Sequence, residues 1–141
     1  MKTLYFLLFM VVLSSCKPTE SEPIKLNIDQ CHQCKMNIAN GKFGAEIITE
    51  KGRIYKFDDV FCLVNFKEQN PDTKIAKHYI HEYAEDNVLI PAENAFYCKG
   101  GNINSPMHGN IIATKTQENV TKFAAEFGAK TITWSEIINS N

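Results

Sequence analysis

Lys42-Phe43-Gly44-Ala45-Glu46-Ile47-Ile48-Thr49, then Glu50-Lys51-Gly52, then Arg53-Ile54-Tyr55-Lys56-Phe57-Asp58 is the stretch that decides the fold. Two short apolar-rich runs flank three polar residues ending in glycine, which is the pattern of a β-hairpin with Gly52 in its turn. A helix follows. Asp58 stands where an N-cap belongs, and Val60, Phe61, Leu63 and Val64 form an apolar stripe that ends before Asn70-Pro71, where proline stops the element. Asp58 and Asp59 are read as a cap and a favourable charge at the helix dipole, not as an acid-base pair. The first half of the chain is therefore strand-strand-helix.

Beyond this stretch, residues 78–83, 87–90, 95–98 and 111–114 read as strands. Residues 117–127 read as an amphipathic helix: Val120, Phe123, Ala124 and Phe127 recur at helical spacing, with Gly128 at the left-handed C-cap position. Residues 130–134 read as a closing strand. The recurring strand-strand-helix order predicts an α+β fold. Two related units with small, mainly antiparallel sheets, about 24–70 and about 75–138, make up a domain spanning 24–141.

The chain of 141 residues opens with Met1-Lys2-Thr3 and an apolar run over 4–13, too short to span a bilayer and suited to an export signal. Its end, Leu13-Ser14-Ser15-Cys16, resembles the bacterial lipoprotein box. That resemblance implies a signal peptide over 1–15, a lipid on Cys16, and a membrane-anchored protein facing the periplasm or cell exterior. An ordinary cleaved signal is the alternative. Residues 16–23 are polar and read as a flexible tether. With 15 Lys and Arg against 16 Asp and Glu, net charge −1, there is no basic excess. Nucleic acid is excluded as a partner on that ground, and electrostatic binding to anionic lipid has no support.

Cys31-His32-Gln33-Cys34-Lys35-Met36 places two thiols and a thioether within six residues, the soft donors that hold Cu(I). A turn over Cys31 to Cys34 lets both sulfurs face one ion, and Met36 adds a third. A c-type haem is excluded because Lys35, not histidine, follows the second cysteine. Zinc, a thiol redox couple and a Cys31–Cys34 disulfide remain open. Apart from Cys16, the cysteines are Cys31, Cys34, Cys62 and Cys98, and sequence cannot choose among their pairings. Cys62 and Cys98 read as buried core residues. His32 reads as pointing away from the site formed by its neighbours. His78 and His81, three apart in a strand, fall on opposite faces and make no paired metal site. The glycine-rich loop 99–110 carries Met107 and His108 outside any apolar pattern, a second candidate ligand cluster.

Taken together, several motifs resemble the nitrous oxide reductase accessory protein family, NosL. They are residues 31–38, Lys42-Phe43-Gly44-Ala45-Glu46-Ile47, Tyr55-Lys56-Phe57-Asp58-Asp59, Ile90-Pro91-Ala92-Glu93-Asn94-Ala95-Phe96-Tyr97 and Ser105-Pro106-Met107-His108-Gly109, in that order. The resemblance implies a copper(I)-binding lipoprotein, not an enzyme, that helps assemble the copper centres of nitrous oxide reductase. Its implied partners are the apo reductase or another copper chaperone, and the membrane through the N-terminal lipid. It also implies two strand-strand-helix units related in shape to organomercurial lyase, with Cys31, Cys34, Met36 and Met107 as ligands. His108 as a ligand is our own reading of the loop. Many relatives carry glycine where Lys35 stands, which implies a different turn here. Cys62 and Cys98 lie outside the family pattern. The competing readings are a thiol-disulfide oxidoreductase using Cys31 and Cys34, and a structural zinc-binding interaction domain using Cys31, Cys34 and two of Cys62, Cys98 and His108.

Overall fold

The computed structural model describes residues 20–140. The proposed signal peptide, and Cys16 with it, lie outside the described residues. Strands β1 (Ala45–Thr49) and β2 (Ile54–Phe57) form the hairpin, with Ala45 opposite Phe57 and Gly52 in the left-handed region at φ 81°. Helix α1 (Val60–Gln69) follows, burying Val60, Cys62, Leu63, Val64 and Phe66. Its N-cap is Asp59 rather than Asp58, because the Asp59 carboxylate accepts from the Phe61 amide at 2.9 Å.

Strands β3 (Ile75–His81) and β4 (Leu89–Pro91) complete an antiparallel sheet in the order β2-β1-β3-β4. The boundary between units thus falls after β4 and not near residues 70–75. Long-range pairing of β3 with β1 (Ile80 opposite Ala45) draws these strands into the first sheet. The second unit is β5 (Phe96–Lys99), β6 (Ile111–Thr114), α2 (Gln117–Phe127) and β7 (Lys130–Ile132), with sheet order β6-β5-β7. Strand-strand-helix does recur, as β1-β2-α1 and β5-β6-α2. Thr116 caps α2 and Gly128 ends it at φ 64°.

The closing strand stops at Ile132, and Trp134 instead opens α3 (Trp134–Ile138). The cause is a capping box. The Thr133 hydroxyl accepts from the Glu136 amide at 3.2 Å and the Glu136 carboxylate accepts from the Thr133 amide at 2.7 Å. Trp134 stacks on Tyr97 of β5 with ring centroids 5.8 Å apart and meets His78 of β3 edge to face at 5.3 Å, so its ring bridges the two sheets. The larger core runs through both units, from Ile47, Phe57 and Leu63 to Tyr97, Ile111 and Ile137; a smaller one holds Phe43, Cys98, Ile103, Ile112 and Val120.

Residues 20–23, the described part of the expected tether, are strapped across the first sheet. Tyr79 donates to the Glu20 carboxylate at 3.3 Å, the Glu22 amide to Glu46 Oε1 at 3.1 Å, and Lys56 Nζ to the Pro23 carbonyl at 3.3 Å. The strap leads directly to the cysteine loop.

Candidate metal centre

The loop from Cys31 to Met36 is closed by its own backbone. The Cys31 amide donates to the Met36 carbonyl at 2.8 Å and the Lys35 amide to the Cys31 carbonyl at 3.0 Å, while Gln30 and Asn37 form a bridge at its base. Closing it requires a left-handed residue, and that residue is Lys35, at φ 67°. Lys35 thus holds a backbone conformation that favours glycine. A side chain there carries a conformational cost of about 1–2 kcal/mol.

Cys31 is fully buried and Cys34 half-buried. The third thiol comes from elsewhere. Cys62 lies in the first turn of α1, where its amide donates to the Asp59 carbonyl at 3.0 Å, and its sulfur stands with those of Cys31 and Cys34 in a group whose members all lie within 4.8 Å of one another. Three thiolates bound to one ion at about 2.3 Å are about 4 Å apart, so the group needs only small adjustments to take a metal. All four described cysteines are free thiols, so the disulfide pairings are not formed.

The three sulfurs are not equivalent. The Cys62 thiol donating to Cys31, helped by backbone amides around the loop, holds Cys31 well below the usual thiol range despite its burial. Cys62 is pushed up as the donor in that pair, and by burial. Burial also pushes Cys34 up, with the neighbouring Cys31 adding to it. The cluster thus holds one thiolate beside two protonated partners. Asp58, 3% exposed, is pushed up to about 6 by burial and then by the negative charges of Cys31 and Asp59.

Met36 stands at the rim, 52% exposed, with its amide directed at the Cys34 sulfur. Met107 is partly buried against the larger core, and its amide donates to Asp59 Oδ2 at 3.1 Å. That carboxylate belongs to the residue whose carbonyl receives the Cys62 amide, so the Met107 loop and the first turn of α1 are joined at one point. His108 is exposed, left-handed at φ 59°, and outside the sulfur group. His32 turns away from it: Lys56 N–H donates to His32 Nδ1 at 3.1 Å, and the ring meets Tyr55 edge to face at 5.0 Å. Cys98 sits in the smaller core. A closed four-ligand zinc site using Cys98 or His108 is therefore not assembled among the described residues.

Sequence reasoning read Cys62 as core filling because it sits between Phe61 and Leu63. A cysteine in the first turn of a helix, three residues after its N-cap, was the available signal, since that position faces the positive end of the helix dipole.

Fold and cluster together define a small α+β domain carrying a three-thiol site that can bind a metal ion. The chain belongs to the NosL family, whose family model matches residues 23–141. The solved copper chaperone NosL from Shewanella denitrificans has the same fold, with a TM-score of 0.74 at 20% identity over 88% of this chain and 99% of that one. No curated protein matches the chain. No helix among the described residues is long and apolar enough to cross a membrane.

Proposed function

We propose that this protein is a Cu(I) carrier, not an enzyme, held at a membrane outside the cytoplasm by a lipid on Cys16. It passes its ion to apo nitrous oxide reductase or to an intermediate chaperone. The observation that carries the reading is the convergence of the Cys31, Cys34 and Cys62 sulfurs within 4.8 Å of one another. Family membership and the copper-chaperone fold neighbour support it. Thiols are soft donors, suited to Cu(I). Met107, brought to the same helix turn, and Met36, at the rim, offer thioethers.

Cu(I) is cargo here, and the arrangement suits loading and release. The Cys31 thiolate is ready to meet the ion, and the Cys34 and Cys62 thiols give up their protons as they bind. Exposed Met36 stands where an acceptor's ligand can approach, and His108 is exposed beside Met107. Delivery then proceeds by ligand exchange, each donor sulfur yielding to a ligand of the acceptor.

An anaerobic Cu(I) titration of the full chain against a colorimetric chelator tests this. One tightly bound equivalent, lost in Cys31→Ser and Cys62→Ser, is the expected result. Failure of the fully reduced wild type to compete would remove copper from the account. Acylation is tested separately by mass spectrometry of membrane-extracted protein beside Cys16→Ala, in which the lipid mass must vanish. Delivery is tested by whether the loaded protein restores activity to copper-free reductase.

A further inference from the structure

We propose that Asp59 is the positioning residue that sets Met107 against the thiol cluster, making copper affinity depend on one buried carboxylate. The proposal rests on the copper reading above and adds a residue to it.

Asp59 is 1% exposed, and no ion pair to it occurs among the described residues. A buried carboxylate is tolerated only where hydrogen bonds replace its hydration. Asp59 receives them from two parts of the chain. Oδ1 accepts from the Phe61 amide at 2.9 Å, within its own helix start. Oδ2 accepts from the Ser105 hydroxyl, the Met107 amide at 3.1 Å and the Gly109 amide at 3.4 Å, 46 to 50 residues away in sequence. The Ser105 hydroxyl in turn accepts from the Asn110 amide at 2.7 Å, closing the loop on itself.

This loop is shaped around the carboxylate. His108 and Asn110 are both left-handed, at φ 59° and 52°, a conformation that favours glycine and persists where surrounding bonds enforce it. A Cβ at Gly109 would collide with Asp59 Oδ1 and press on Phe61 Cβ. Pro106 limits the backbone one residue before the methionine. The Asp59 main chain meanwhile anchors the other side, its carbonyl receiving the amides of Cys62 at 3.0 Å and Leu63 at 3.3 Å. One residue thus holds the turn carrying a cluster thiol through its backbone and the loop carrying a thioether through its side chain. An N-cap role alone would occupy Oδ1 and leave Oδ2 unexplained.

The test uses Asp59→Asn, which keeps size and one acceptor oxygen, and, if that variant fails to fold, Ser105→Ala, which removes one donor to Asp59 together with the acceptor of the Asn110 amide. Each is made in the full chain with and without Met107→Ala. With metal absent, amide exchange at Met107 and Gly109 rises in both variants, while β1 amides are unchanged. Losing hydrogen bonds to a charged acceptor weakens Cu(I) binding by about tenfold in Asp59→Asn. The same change costs less than about twofold once Met107 is alanine, because a residue acting through Met107 has nothing left to position. Equal weakening with and without Met107 would show Asp59 to be merely structural and overturn the proposal, as would unchanged exchange at Met107 and Gly109. Wild type that binds no Cu(I) overturns the carrier reading itself, a result distinct from additive losses in a protein that binds.

Discussion

Replacing Glu46 with glutamine will stabilise this protein at alkaline pH and hardly at all in acid. Glu46 is the second residue of β1, fully buried beneath the strap of residues 20–23. Burial pushes its carboxyl from 4.5 up to about 7, with the charges of Glu22 and Asp29 adding to burial and the Glu22 amide and Lys56 opposing it. Oε2 has no hydrogen-bond partner. The folded state therefore holds its proton longer than the unfolded chain. The stability contributed is full below 4.5, is lost as pH rises through 7, and is gone above.

The difference of 2.5 units, at 1.36 kcal/mol each, caps the loss at about 3 kcal/mol, of which about 2–3 falls between pH 5 and pH 8. Glutamine keeps the acceptor for the Glu22 amide and has no charge to bury. His81 works against this in the wild type. Its ring, lowered to about 4 by burial, is neutral in the fold, so stability is lost as pH falls from 6.5 through 4. The two slopes oppose each other, so the informative quantity is the difference between Glu46→Gln and wild type. Urea unfolding at half-unit steps from pH 5 to pH 8 measures it. A gap that does not widen toward alkaline pH would refute the reasoning.

Lys35→Gly relieves the left-handed position at φ 67° and should raise stability by about 1 kcal/mol, read as an upward shift in thermal midpoint; no shift would mean the turn carries no strain. Cys62→Ser should weaken Cu(I) binding more than about tenfold while Cys98→Ala leaves it within about twofold, since the first deletes a metal ligand and the second only a buried thiol outside the cluster. Equal effects would dissolve the distinction between cluster and core. Because Cys34 and Cys62 are both pushed up and protonated, Cu(I) affinity should climb with pH, about tenfold per unit for each proton displaced, in a buffered competition titration. A flat profile would exclude thiolate binding at those two positions. Trp134→Ala removes the stack on Tyr97 and should cost roughly 2 kcal/mol in urea while leaving Cu(I) stoichiometry unchanged.

Much of this architecture is written in short-range patterns. The hairpin needs Gly52, α2 needs its apolar spacing and Gly128, and residues 117–127 and 111–114 fall where periodicity puts them. The Cys31 to Met36 run also announces its chemistry, because residue type and spacing within one loop fix what a nearby ion would meet. Even the Trp134 helix was visible in Thr133 and Glu136, a capping box overshadowed by the β-branched run before it. These features depend on bonds made within a few residues.

What tertiary structure alone decides lies in contacts between distant segments. The pairing of β3 with β1 moved the boundary between units, since a sheet edge takes whichever strand can bury its face there. The Asp59 carboxylate was legible as helix chemistry but not as the anchor of a loop 46 to 50 residues away. Cys62 shows the limit most clearly. Its sequence neighbours are apolar and mark it as core, yet the packing of α1 against the first sheet brings its sulfur to Cys31 and Cys34. A metal site is a convergence of side chains in space, and a pattern confined to neighbours in the chain records which donors exist but not which of them meet.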